Sequence, residues 1–278
     1  MADRAHISNI KVLMYHRVLD KPPRENSNWH YVLTEDFIKQ LKLIDALGYT
    51  TITFNDYKLY LEDKLTLPKK PIIITFDDGY LDTYEVACPV LIEHNMSAVI
   101  FAMGNREIDQ ACWEDLDDTE LCPLMSSDQL RSLSNLGFEI GAHSMNHYDL
   151  TKLRDEEIFK EIAESKETLE KILDEPVHTF AYPYGSLNKR VKKMVEIAGF
   201  SFACGVYTGP YRFGDDFFDL RRLAINYHTG TSRYLLRLLL PFQYVEWLYH
   251  KTRSNGRLHQ NQLEIPKLKK IIFEKTIG

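Results

Sequence analysis

The stretch Pro71-Ile-Ile-Ile-Thr-Phe-Asp-Asp-Gly79 decides how the chain folds. Its apolar part carries the β-branched and aromatic bias of a buried strand, and it ends abruptly on two carboxylates and a glycine. Working outward, five more runs share this character: Lys11–Tyr15, Ser97–Met103, Phe138–Ala142, Thr179–Tyr182 and Ser201–Val206. Segments of helical period separate them. Over Thr34–Leu47 the residues Phe37, Leu41, Ile44 and Leu47 form one stripe, with Gly48 as a stop. Ser126 and Gln129 fit a capping box for a helix running to Leu136. Asp155–Leu173 repeats Ile158, Ile162, Leu169 and Leu173 under a charged outer face, and Asn188–Ala198 ends at another glycine. Strand and helix in alternation mean parallel strands joined by right-handed crossovers. The pattern predicts a barrel-like α/β fold, with an open doubly wound sheet as the alternative. Both place a site at the carboxyl ends of the strands.

The 278 residues are 44% hydrophobic, enough for a sizeable core, and the formal net charge of −6 argues against a nucleic-acid partner. Four cysteines without a CxxC pair read as reduced thiols rather than a disulfide framework. No signal-peptide-like stretch precedes the first strand, and no run reaches the ~18 to 20 apolar residues of a membrane span. The expectation is a soluble, cytoplasmic protein, unless a leader has been removed. The region Asn105–Leu124, acidic and containing Trp113, reads as a long loop over the strand ends.

Polar groups stand where such a fold would want them. Asp77 and Asp78 follow the strand directly, and two adjacent carboxylates there are costly without a cation beside them. A bound metal would take Asp78 as ligand and leave Asp77 to accept a proton; a plain Asp-Asp-Gly turn is the other reading. After Phe138–Ala142 come His143 and His147, whose spacing of four lets two imidazoles point at one ion. One Asp and two His make a facial set that leaves positions open for water and substrate, and zinc suits it best among divalent ions. A third strand end reads Phe180-Ala-Tyr-Pro-Tyr-Gly185, where Tyr184 could offer its ring to a sugar or an N–H to a charge, or simply pack in a turn.

These residues resemble the polysaccharide deacetylase family, carbohydrate esterase family four with its NodB homology domain. Thr75-Phe-Asp-Asp-Gly79, His143-Ser-Met-Asn-His147 and Tyr182-Pro-Tyr184 are similar to its three ordered motifs, and Val12-Leu-Met-Tyr-His-Arg-Val18 is typical of it. The resemblance runs from about Lys11 to Ile225, nearest to the poly-N-acetylglucosamine deacetylase branch. It implies a distorted (β/α) barrel of about seven parallel strands, TIM-like, with one divalent metal ion, most readily Zn2+. It implies hydrolysis of N-acetyl groups on N-acetylhexosamine units of a polysaccharide or lipid-linked glycan. Carried over, Asp78, His143 and His147 are the metal ligands and Asp77 is the general base.

The chain departs from the family pattern in two places. An arginine that usually orients the catalytic aspartate is replaced by Ala181, and Arg222 in Phe218-Asp-Leu-Arg-Arg-Leu223 is the expected substitute. The late histidine motif that supplies a general acid is not plainly present. His228 is the candidate for that role, with His16, at the end of the first strand, as a second histidine able to face substrate.

The deacetylase domain is expected to span residues 1–228, with a helical extension over 229–278. Residues 234–249 are strongly apolar and aromatic, and Lys267, Lys269, Lys270 and Lys275 follow. This extension would pack on the barrel or make peripheral membrane contact through 234–249. Two other functions fit the same residues: an amidohydrolase of a small non-sugar amide, and a catalytically impaired carbohydrate-binding protein.

Overall fold

The computed structural model describes residues 10–23, 30–111, 113 and 122–241. The chain divides into two compact units, Met1–Pro241 and Phe242–Gly278, and the second lies outside the described residues. The first unit opens with β1 (Lys11–Tyr15), β2 (Arg17–Leu19) and β3 (Tyr31–Leu33), then α1 (Thr34–Ala46), β4 (Thr50–Thr51) and α2 (Phe54–Leu61). The central run is β5 (Pro71–Phe76), α3 (Cys88–Glu93), β6 (Val99–Ala102), α4 (Ser127–Asn135), β7 (Glu139–Ala142) and α5 (Asp155–Leu173). It ends with β8 (Thr179–Ala181), α6 (Lys189–Ile197), β9 (Phe202–Cys204), β10 (Leu223–Ala224) and α7 (Thr231–Leu239).

Seven strands lie side by side in the order β10-β1-β5-β6-β7-β8-β9, every pairing parallel, while β4 pairs with the start of β5. The sheet curls through 242° with helices around it, a distorted α/β barrel. Ile72, Ile73 and Ile74 are all fully buried because helices cover the outside and the barrel interior covers the inside. Each such side chain contributes about 1.5–3 kcal/mol on burial. Between the edge strands β9 and β10, residues 217–222 run alongside β9: Ala203 N–H donates to Phe217 O, Leu220 N–H to Ala203 O and Gly205 N–H to Leu220 O. This irregular segment narrows the seam of the barrel.

The helices follow their sequence signals. In α1 Phe37, Leu41 and Ile44 are buried, and the chain leaves at Gly48 with φ +71°. Ser126 and Gln129 form the reciprocal capping box of α4. The strands β6 to β9 are shorter than their apolar runs by one to three residues, β7 at its start, β8 at its end, and β6 and β9 at both ends. The strands β2, β3, β4 and β10 and the helices α2 and α3 have no counterpart among the predicted elements.

The helix α7 packs on the barrel. Tyr234 and Leu238 are buried, and the Tyr15 hydroxyl donates to Gln40 Oε1 at 2.8 Å and lies 3.2 Å from the Tyr234 hydroxyl. Lys11 Nζ donates to the carbonyls of Arg237 and Leu240, and burial brings its pKa down to about 8. Of the stretch 234–249, the part beyond Pro241 lies outside the described residues, as do the lysines at 267, 269, 270 and 275. Among the described residues no helix is long and apolar enough to cross a membrane.

Candidate metal centre and catalytic site

Four strand ends and the seam segment bring the polar groups together. After β5 the backbone turns left-handed at Asp78 (φ +75°) and Gly79 (φ +71°), and a side chain on residue 79 would press on Ala102 Cβ at 3.3 Å. This turn directs Asp78 toward the residues that follow β7. His143 Nε2 lies 3.1 Å and His147 Nε2 3.2 Å from the same oxygen, Asp78 Oδ1. One potential ligand atom from each of the three residues lies within 4.8 Å of the others, and all three residues are buried.

The chemistry of this donor set fits a cation. His143 Nδ1 is 2.8 Å from the Ala181 carbonyl, an acceptor only, so that nitrogen carries the ring proton. In the neutral ring, Nε2 then presents its lone pair to Asp78, whose buried Oδ1 receives no hydrogen bond. Lone pairs converging on one dry point repel unless a positive ion sits among them. The two imidazoles differ in protonation tendency. Burial disfavours a charged His143, but Asp78 and Asp77 outweigh it and raise the pKa above the ordinary value. At His147 burial wins and lowers it. The Asp78 carboxyl would be pushed up by burial, yet His147 and His143, in their charged form, hold it well below the usual range.

Arg222 is completely buried and grips Asp77 with both ends of its fork, Nη1 to Oδ1 at 2.6 Å and Nη2 to Oδ2 at 2.8 Å. Nη1 also reaches Thr75 Oγ1 at 3.1 Å, and Nε donates to Gly205 O at 2.8 Å. Burial alone would raise the Asp77 pKa; the guanidinium reverses this and keeps it ionised. Thr75 and Gly205 are contributors that the sequence reading passed over, although Thr75 interrupts an otherwise apolar strand.

The two candidate histidines are placed differently. His16, half-buried at the end of β1, is near enough for its charge to favour ionisation of both Asp77 and Asp78, and its ring stacks on His30 at 4.8 Å. His228 is exposed, with its ring against Tyr227, which in turn stacks on Tyr31. Tyr184 is 58% exposed and sets its ring edge toward His147, with centroids 4.7 Å apart.

Seven non-glycine residues among those described have positive φ. Three, Asp63, Asn95 and Asp174, sit just past helix ends and are of the types that tolerate this backbone. The other four are Asp78, Ser144, His147 and Tyr184, so the strained conformations gather at the site. Hydrogen bonds hold the loop between the histidines. His147 N–H donates to Ser144 Oγ at 3.0 Å, Asn146 N–H donates to the buried carboxylate of Glu161 on α5 at 2.8 Å, and Asn146 Oδ1 accepts from Asn105 Nδ2 at 2.8 Å. Glu161 was legible in the sequence only as part of a charged helix face.

Residues 64–203, half of the chain, match the family model described as polysaccharide deacetylase. The chain belongs to the polysaccharide deacetylase family. Among curated relatives, a Bacillus subtilis protein named for this family is 28% identical over 203 residues, covering 73% of this chain and 66% of the relative. The poly-beta-1,6-N-acetyl-D-glucosamine N-deacetylase of Staphylococcus aureus is 29% identical over 177 residues, 60% of this chain and 57% of that one. The chain thus spans less than two thirds of the length of these polysaccharide deacetylases. A solved Streptococcus pyogenes deacetylase has the same fold, with a TM-score of 0.72 at 24% identity over 84% of this chain and 99% of that one.

Proposed function

We propose that this polysaccharide deacetylase family member hydrolyses the N-acetyl groups of N-acetylhexosamine units in a glycan, with one divalent cation held by Asp78, His143 and His147. The observation that carries the reading is the juxtaposition of that ligand set with the neighbouring Asp77–Arg222 pair. The Staphylococcus aureus relative's name supports a β-linked N-acetylglucosamine polymer as substrate class. Zinc suits a site of one carboxylate and two imidazoles. When bound, such an ion supplies Lewis acidity, favouring charge on the amide oxygen and making a water more acidic.

The protein's own groups do the rest. Asp77 accepts the proton of the attacking water; Arg222 keeps the carboxylate ionised and fixes its plane. The backbone of the Tyr184 turn is offered to the oxygen that gains charge as the tetrahedral centre forms. Protonation of the departing amine falls to His16 rather than His228, because His16 follows β1 beside Asp77 at the end of the adjacent β5, whereas His228 is exposed.

The test combines metal content with acetate release from N-acetylglucosamine oligomers. About one zinc per chain, lost in His143→Ala, and acetate release that falls roughly 10²- to 10⁴-fold in Asp77→Asn while zinc is retained, is the expected result. An Asp77→Asn protein with full activity would remove Asp77 from the base role.

A further inference from the structure

We infer that Trp113 belongs to the metal centre as the residue that orients His147. The inference rests on the metal-binding reading above.

The two imidazoles are held by different means. A histidine ligand usually has its second nitrogen tied by a hydrogen bond that fixes the ring, as the Ala181 carbonyl does for His143. His147 Nδ1 is buried and has no hydrogen-bond partner. Its ring is instead enclosed by aromatic groups. The Trp113 indole lies nearly parallel to it, with centroids 4.2 Å apart and planes 24° apart, and Tyr184 closes a second side edge-on. Tyr184 is mostly exposed on a turn, whereas Trp113 is partly buried against Tyr80, Met103, Ala111, Cys122 and Leu124. The two arms that carry this cluster are joined by Ala111 N–H to Cys122 O and Leu124 N–H to Asp109 O, both 2.9 Å, and are tied to the turn after β5 by Leu81 N–H to Pro123 O at 2.8 Å and Met125 N–H to Gly79 O at 2.9 Å. Trp113 is therefore the anchored wall, and a ring stacked this closely leaves the imidazole little freedom to rotate away from Asp78.

The stack should also respond to the ion. Coordination draws electron density out of the imidazole, and an electron-poor ring is held more strongly by an indole face. By reciprocity, whatever Trp113 adds to cation affinity, the cation adds to the stacking of Trp113 on His147.

Zinc titration in competition with a chromophoric chelator, on the full chain, tests this with Trp113→Ala, Trp113→Leu and Trp113→Phe. Leu keeps an apolar plug in the cluster but has no ring face, so it separates stacking from simple packing. Zinc affinity is expected to fall roughly 10- to 100-fold in the Ala and Leu variants and to be largely restored in Phe. Tryptophan emission gives a second readout, the other two tryptophans being Trp29 and Trp247. Zinc should change the emission of the unaltered protein, and Trp113→Phe should bind zinc without that change. Equal affinity in the unaltered, Leu and Ala proteins, or an emission response that persists in Phe, would overturn the inference while leaving the metal site intact. An unaltered protein that takes up no zinc or cobalt would overturn both.

Discussion

At the scale of single residues, the two histidines weighed for the proton-donor role differ in burial rather than in type. Asp77 and His16 are neighbours at adjacent strand ends, Asp77 N–H donating to Tyr15 O at 3.0 Å, while His228 belongs to the exposed aromatic rim. Replacing His16 by Ala is therefore expected to lower kcat about 10²- to 10⁴-fold, the range for loss of a positioned acid. His228→Ala should change kcat by less than about tenfold on the same scale. Steady-state acetate release from the two variants decides between them, and the reverse order would return the role to His228. Most of the site's ingredients could be read from the sequence because each lies next to the strand that delivers it. Asp77 and Asp78 follow β5, and His143 follows β7. Tyr184 closes the turn after β8. Trp113 and Glu161 could not be read in this way. Trp113 reaches His147 across a loop without periodicity, and Glu161 looks like one more surface charge until α5 is seen to rest on the histidine loop.

At the scale of elements, long buried strands and amphipathic helices were legible because their pattern repeats. Short ones were not: β10 is two residues, held by pairing with β1, and α2 has the weak stripe of a helix that buries only Phe54 and Tyr57. One buried charge marks where the elements interlock away from the site. Glu139 on β7 accepts from Asn55 N–H and Thr179 Oγ1, both at 2.8 Å, and burial outweighs those bonds to push its pKa up to about 7. The folded state therefore holds this proton more tightly than the unfolded chain does. Its contribution to stability is fully present below the ordinary glutamate range near 4.5 and is lost as pH rises through about 7. The loss amounts to roughly 3 kcal/mol at about 1.4 kcal/mol per pKa unit. Glu139→Gln, which can still accept from Asn55 and meet the Thr179 hydroxyl, should remove most of that decline. Denaturant unfolding of both proteins at pH 5 and pH 8 measures it; parallel pH dependence would show that Glu139 is not the source.

At the scale of the whole molecule, α7 ties the last described part of the chain to the first strand. A chain ending after His228 would lose Tyr234 and Leu238 from the core, about 1.5–3 kcal/mol each, and would strip Lys11 of its two carbonyl partners. Its melting temperature should fall well below that of a chain ending after Pro241, as thermal unfolding would record. Equal stability of the two would mean that α7 is dispensable. The same comparison bears on peripheral membrane contact through 234–249. Tyr234 and Leu238 face the barrel, and Leu236 and Leu239 are the exposed apolar residues of this helix. Liposome binding is therefore best compared between the full chain and the one ending after Pro241.

The Asp77–Arg222 pair joins residues separated by 145 positions. As the chain emerges from the ribosome, Asp77 and all three potential ligands appear well before Arg222. A partly made protein, or one cut by a protease upstream of the seam, would carry the ligand residues yet lack the guanidinium that sets the carboxylate. Under the proposed function, hydrolysis would then begin only once the closing segment has found β9, so that activity would itself certify a finished fold and incomplete chains would leave acetylated sugars untouched.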